Sequence, residues 1–285
     1  MPPQLDGILT ETGRVGGGGF SDVYRGDWTQ VGHAQPTQVA IKRHRGINTQ
    51  DVSNPAEAQA RFERRTRRET VIWRDARHDN ILPFLGYQFN GASAVLVSPW
   101  CKNGCLSSYI RAHPELSRSQ KLKLLKDAAL GLEYLHSLQP PIIHADIKPE
   151  NIMISDDIRA VLSDFGISRF MVEAGMQTGL TTSGGTPGTA GYQSKELLES
   201  DLRPTNKSDV YAFGGLILGI MSGKRPFHRV RAVATIILAI VAGSQPLAAD
   251  HPDLPASDPL WDLLGPCWNP VPQERPSMTD IIEVL

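Results

Sequence analysis

The pattern of the chain changes once, near Trp100, and that change limits the fold more than any other feature. Before it, short strand-like runs are separated by Gly and Pro: Gly13–Gly19, Val23–Trp28, Gln38–Lys42, Phe84–Phe89 and Ala94–Ser98. Runs of this length bounded by turn residues read as strands, and Gln35-Pro36 marks a turn between the second and third. One helix interrupts them. Asn54 stands at its N-cap, Pro55 at its first position and Glu57 at the capping-box position, and it runs to about Arg77. After Trp100 the spacing is helical. Ser117 and Gln120 make another capping box, and Leu122, Leu125, Ala129, Leu132 and Leu135 fall on one face. Gly131 costs that helix about 1 kcal/mol relative to Ala, so a packing reason for it is expected. Ile152–Ile154 and Ala160–Ser163 are short strand-like pieces, while Val210–Met221 and Ala232–Ala242 read as buried or half-buried helices. Met171–Gly191 is rich in Gly, Thr and Ser without periodicity and reads as a mobile loop. The expectation is an α+β chain with a strand-rich small lobe, a short connector near 98–104 and a helical large lobe.

Composition narrows the partners. The 285 residues carry 29 Lys+Arg against 30 Asp+Glu, a net charge of -1, so no global field draws the chain to nucleic acid or to a membrane surface. The basic cluster Arg61, Arg64, Arg65, Arg67 and Arg68 is interleaved with Glu63 and Glu69 and reads as a solvated helix face. The two most apolar stretches are shorter than the ~20 residues of a membrane span. Cys101, Cys105 and Cys267 form neither a disulfide framework nor a zinc pair, so a reducing compartment is expected. The first residues lack the pattern of a signal peptide, and a cytoplasmic location is the expectation.

The chemistry lies in four ordered segments. Gly16-Gly17-Gly18-Gly19-Phe20-Ser21-Asp22-Val23 lets backbone approach a ligand closely and aim N–H groups at phosphate oxygens. It is not a P-loop, since no Gly-Lys-Ser/Thr follows. Val39-Ala40-Ile41-Lys42 puts a cation on the following strand run, and Glu69 is a carboxylate able to hold it. His144-Ala145-Asp146-Ile147-Lys148-Pro149-Glu150-Asn151 packs an acid, a cation and an amide into one short loop. Asp can take a hydroxyl proton, Lys can neutralise a phosphoryl oxygen and Asn can ligate Mg²⁺. Asp164-Phe165-Gly166 adds a second hard oxygen ligand.

In this order the four segments resemble the catalytic domain of eukaryotic protein kinases, and the resemblance covers nearly the whole chain. His78-x-Asn80-Ile81, Ser208–Gly214 and Gln273-Glu274-Arg275-Pro276 resemble further family segments, the last in the manner of the tyrosine-kinase-like serine/threonine group. The resemblance implies one bilobal domain over 1–285, with an N-lobe over about 1–97, a hinge at about 98–103 and a C-lobe over about 104–285. It implies ATP and Mg²⁺ as cofactors, bound between the lobes, and transfer of the γ-phosphoryl group to Ser or Thr of a protein substrate. Lys42, paired with Glu69, is to hold the α/β-phosphates. Asn151 and Asp164 are to hold Mg²⁺, Asp146 to orient the acceptor hydroxyl and Lys148 to stabilise the moving charge. Thr189 is to tie the substrate segment to the catalytic loop. Gly16, Gly18, Ser21, Val23, Ala40, Ser98, Pro99, Cys101, Cys105 and Met153 are the further nucleotide-binding residues, with the Pro99 and Cys101 backbone meeting adenine.

Three departures stand out. Ser21 replaces the third loop glycine, Ala145 replaces the Arg that in the family pairs with a loop phosphate, and Ser194-Lys195-Glu196 replaces Ala-Pro-Glu. Glu196 is still expected to pair with Arg275. The departures give the competing reading, a pseudokinase scaffold; the intact Lys42, Asp146, Asn151 and Asp164 weigh against it. A third reading, a small-molecule phosphotransferase, lacks a reason for the long hydroxyl-rich loop. The stripe Ile236, Ile237, Ile240 and Val241 is expected to pack on its lobe rather than serve as a docking face. His113, His228 and His251 have no spacing partners and receive no role. Regulatory domains or partners outside this chain are left open.

Overall fold

The computed structural model describes residues 4–17, 21–44, 70, 73–90, 93–164, 190–198 and 204–285. Two compact units divide the chain: 1–77 with 81–102, and 78–80 with 103–285.

The first unit is a five-stranded antiparallel sheet in the order β1-β2-β3-β5-β4. The strands are β1 (Ile8–Gly17), β2 (Ser21–Thr29), β3 (Thr37–His44), β4 (Gly86–Asn90) and β5 (Ser93–Pro99). β1 starts five residues before the expected Gly13, because it is an edge strand with almost every residue exposed. Such a strand needs no apolar alternation to betray it. β4 begins at Gly86 rather than Phe84. Side chains alternate across the sheet, so β3 divides its residues between two faces. Val39 and Ile41 go to one face, where Leu5, Val95 and Val97 complete a buried cluster. Leu5 is held there by its N–H, which donates to Tyr87 O at 2.9 Å. The expected helix from Asn54, with its Arg cluster, lies outside the described residues. Helical residues are described at 70 and 73–75, and none of 76–80 is helical, so the helix stops short of Arg77.

The second unit is helical. α1 (Leu106–Ala112) is followed by α2 (Arg118–Ser137), whose expected capping box forms in full between Ser117 and Gln120. The buried face of α2 is wider than a single stripe: Leu124 and Ala128 join Leu125, Ala129, Leu132 and Leu135, while Leu122 is half-buried. The width follows from what α2 carries on different sides: the strand β7 (Ala160–Leu162), which pairs with β6 (Ile152–Ile154), and the helices α4 (Asn206–Ser222) and α7 (Met278–Val284). Gly131 has the packing reason its propensity demanded. A Cβ there would sit 2.5 Å from the Asn80 carbonyl oxygen. That carbonyl accepts the Leu162 N–H at 2.9 Å, and Asn80 Nδ2 donates to Ala160 O at 3.1 Å, so residues 78–80 are stitched to β7 across the glycine.

α3 (Lys195–Leu198), α5 (Val233–Val241) and α6 (Leu260–Cys267) complete the labelled helices. α4 is buried nearly all round and ends on Gly223 at φ 68, a left-handed stop that glycine takes without steric cost. α5 buries Ile236 and Ile240, which bears out packing for those two, and exposes Leu238. Among the described residues no helix is long and apolar enough to cross a membrane.

Candidate active site

The first unit gathers its share of the candidate residues through strand register. Val23 pairs with Lys42, Lys42 with Leu96, and Ala40 with Ser98. Cross-strand partners share a face, so Val23, Ala40, Lys42 and Ser98 lie on the face opposite the Val39–Ile41 cluster. Lys42 and Ser98 are both buried. Gly16 pairs with Val23 after a register shift in β1, and Ser21 opens β2 against His44. Pro99 ends β5 and Cys101 is buried just beyond it. Gly18 and Glu69 lie outside the described residues.

The second unit carries the acid. Asp146 sits in the irregular stretch after α2, and Lys148 Nζ donates to both of its carboxylate oxygens, at 3.0 and 2.7 Å. Asn151 Nδ2 donates to the Asp146 carbonyl at 2.8 Å and to Oδ2 at 2.7 Å. Both amide hydrogens of Asn151 are thereby committed, which fixes the amide orientation and leaves Oδ1 as its free-lying acceptor. A hard oxygen in that place suits Mg²⁺. The Asn151 carbonyl accepts from both the N–H and the hydroxyl of Ser163, at 2.9 Å each. Ser163 directly precedes Asp164, so the two candidate metal ligands are joined through one residue. Asp164 itself holds φ 59, a left-handed value sparsely populated by non-glycine residues.

One functional residue escaped the sequence reading. Asp209, fully buried on α4, accepts the backbone N–H of His144 at 2.8 Å and of Ala145 at 2.6 Å. His136 Nε2 lies 2.9 Å from the same carboxylate. Ala145 stands at φ 57, a conformation that costs on the order of 1 kcal/mol or more unless its surroundings impose it. The Asp209 carboxylate is what imposes it. His144 closes the loop from inside: it is fully buried, its Nε2 donates to Ser163 O at 3.0 Å, and its Nδ1 accepts the Asp146 N–H at 3.3 Å. Position 209 was visible only as part of a helical motif. Nothing in its spacing announced a partner 64 residues upstream.

Cys105 and Met153 form an isolated antiparallel bridge, which brings two candidate nucleotide contacts together. Cys105 is the N-cap of α1. Burial pushes its thiol up, but the hydroxyls of Ser107 and Ser108 and the Ser108 backbone N–H outweigh that and leave it below its ordinary value. Thr189, the Phe165-Gly166 pair and most of the loop 171–191 lie outside the described residues. Glu196 and Arg275 meet as expected, with guanidinium-to-carboxylate contacts of 2.5 and 3.0 Å.

The protein tyrosine and serine/threonine kinase family has a sequence model that matches residues 9–285. This chain belongs to that family. The kinase domain is 32% identical to receptor-interacting serine/threonine-protein kinase 3 of Rattus norvegicus, over 95% of this chain and 54% of that protein. It is 36% identical to the putative L-type lectin-domain containing receptor kinase I.11 of Arabidopsis thaliana, over 75% of this chain and 29% of the relative. The probable serine/threonine-protein kinase SIS8 of the same plant is 29% identical, over 97% of this chain and 25% of its own length. The kinase domain thus spans about half or less of these relatives.

Proposed function

We propose that this chain is a catalytically competent, ATP-dependent serine/threonine protein kinase domain. Asp146 carries the reading: its carboxylate is held by Lys148 on one side and Asn151 on the other, in a loop fixed from beneath by Asp209. A base held in that way can accept the proton of an incoming hydroxyl with no reorganisation of its own. Lys148, already beside it, neutralises charge on the phosphoryl group in transit. Asn151 Oδ1 and the Asp164 carboxylate fit a hard divalent ion by donor type. Held by these two residues, Mg²⁺ would supply neutralisation of phosphate charge. Lys42 holds the α/β-phosphates, braced by Glu69. The glycine segment, with Gly16, Gly18 and Ser21, covers the phosphates. Val23, Ala40, Ser98, Cys105 and Met153 contact the nucleoside, and the Pro99 and Cys101 backbone receives adenine. Thr189 links the substrate segment to the loop.

Protein Ser/Thr substrates are favoured by Lys148 and by the names of the serine/threonine kinases above. Cys101, Cys105 and Cys267 form no disulfide among the described residues, which favours a reducing, cytoplasmic compartment. The test is transfer of radiolabelled phosphate from ATP to a generic protein substrate, with phosphoamino-acid analysis of the product. Wild type is expected to label Ser and Thr; Asp146→Asn and Asp164→Asn are expected not to. Equal labelling by all three would assign the activity to a contaminant and sink the enzyme reading.

A further inference from the structure

His228 and His251 take no part in the site above. His251 is fully buried, just after the 3-10 turn Ala248–Asp250. Its Nδ1 lies 2.8 Å from the hydroxyl of Ser222, the last residue of α4. That hydroxyl has one hydrogen and two carbonyl acceptors, Leu218 O at 2.7 Å and Lys224 O at 3.2 Å. A carbonyl can only accept, so the hydroxyl donates there and His251 donates from Nδ1 to the Ser222 oxygen. Nε2 is then a bare lone pair. It is buried, and among the described residues it has no hydrogen-bond partner.

His228 stands beside it. The ring centroids are 5.0 Å apart and the planes cross at 75°. His228 is half-buried, and its Nδ1 is likewise buried without a partner among the described residues. The preceding residue, Phe227, holds φ 54, an outlier for a bulky side chain. The turn that presents His228 is therefore kept against local preference. An imidazole that donates from one nitrogen to a protein oxygen and leaves the other bare has the arrangement of a metal-ligating histidine. Two imidazoles on one tetrahedral Zn²⁺, with Zn–N of about 2.0–2.1 Å, hold their ring centroids roughly 5 Å apart.

The geometry points to a two-imidazole site, His228 Nδ1 and His251 Nε2, for a borderline transition-metal ion such as Zn²⁺, with solvent completing the coordination. The site is separate from the phosphoryl-transfer machinery and does not rest on that reading. The charged groups acting on the two rings are Lys224, Arg225, Arg229 and Asp250. Three of them oppose a dication, and the fourth, Asp250, is 3.1 Å from Arg229. Among the described residues no group of three His, Cys, Asp or Glu could hold a metal. Binding is therefore exchangeable and micromolar rather than that of a structural zinc site. Burial, the leading cause, lowers the pKa of both rings, so at neutral pH no proton has to be displaced. A bound ion would clip the segment after α4 to the turn before α6, on either side of α5.

The full chain, stripped with a chelator, is titrated with ZnCl₂ by calorimetry at neutral pH, beside His228→Phe. Phenylalanine keeps the edge-on ring packing and removes the nitrogen. The expected result is one Zn²⁺ per chain with micromolar affinity, weakened more than about tenfold in the variant, and a rise in melting temperature with Zn²⁺ but not with Mg²⁺. X-ray absorption of the wild-type zinc complex needs no variant and is expected to show two imidazole scatterers. An oxygen-only shell, equal affinity in His228→Phe, or no stoichiometric binding by wild type would each overturn the site.

Discussion

The helical unit contains two carboxylate–cation pairs of opposite character. Arg275 and Glu196 are closed: their side chains are 0% and 8% exposed. The guanidinium also donates to Lys207 O and Asn269 O and lies over the Tyr211 ring. Lys148 and Asp146 are open, at 19% and 32% exposed. A closed pair has its donors turned to protein acceptors and its charges removed from water, so it holds structure in place. An open pair keeps lone pairs and hydrogens that can be handed to an incoming group. The difference is what the same two kinds of charge need in order to brace in one place and react in another.

The largest expected effect is at the open pair. Asp146→Asn keeps the size and one oxygen able to accept from Lys148 and Asn151, but cannot accept a proton. Transfer is expected to fall by about 10²-fold or more, with the far-UV spectrum and unfolding midpoint close to wild type. A matching loss of stability would mean that Asp146 braces rather than reacts.

At the closed pair the consequences reverse. Arg275→Met leaves Glu196 charged and buried, which costs about 3–5 kcal/mol. Urea unfolding should register it, and adding Glu196→Leu should recover part of the loss. Burial raises the Glu196 carboxyl, but Arg275 outweighs it and holds it below its ordinary 4.5. Its stabilisation is therefore complete above about pH 4.5 and is lost as pH falls through the lowered folded value. Arg275→Met with unchanged urea stability would remove the distinction drawn between the pairs.

Gly131→Ala tests a closed contact without charge. Helix propensity alone predicts a gain of about 1 kcal/mol. The approach of the Asn80 carbonyl predicts a net loss of about 1–3 kcal/mol. The sign of the change in unfolding free energy decides between them.

Those residues also mark how far the sequence could be read. The capping box of Ser117 and Gln120, Gly131 and the ordered motifs were legible because each is a local pattern with a local cause. The Glu196–Arg275 pair was legible only through family resemblance. The role of Asp209 beneath the His144–Asp146 stretch, and the pairing of His228 with His251, were not legible. Their meaning lies in a partner far along the chain, and periodicity carries no information about that. The exposed edge strand β1 was misjudged for the complementary reason: a strand that buries little leaves little pattern.

A smaller effect is expected from acid on His251. Burial lowers its pKa from 6.5 to about 4, so it stays neutral in the folded chain while the unfolded chain takes up a proton. Its contribution is whole above about pH 6.5 and declines as pH falls toward 4. Unfolding measured at pH 7 and pH 5, on metal-free wild type and His251→Asn, should show a steeper decline in wild type. Parallel curves would place the histidine's charge elsewhere.

The smallest effect on the fold, and the sharpest contrast of open with closed, concerns two thiols. Cys267 on α6 is fully buried and its pKa is pushed up by burial to about 12, with Arg275 opposing. Cys105 is half-buried at the start of α1, with Ser107 and Ser108 at 3.3 and 3.4 Å from its sulfur. Only thiolate reacts, so the first should be inert and the second labelled. Limited alkylation with iodoacetamide near pH 7.5, followed by mass mapping, should find Cys105 modified before Cys267. The sulfur meets only the Ser107 and Ser108 hydroxyls and the Ser108 N–H, contacts of a thiol that cost little to lose, so the adduct should shift the melting temperature by less than about 2 °C. Early labelling of Cys267 would mean that the α6 face opens in solution, and that Arg275 beside it is not held in a closed network with Glu196.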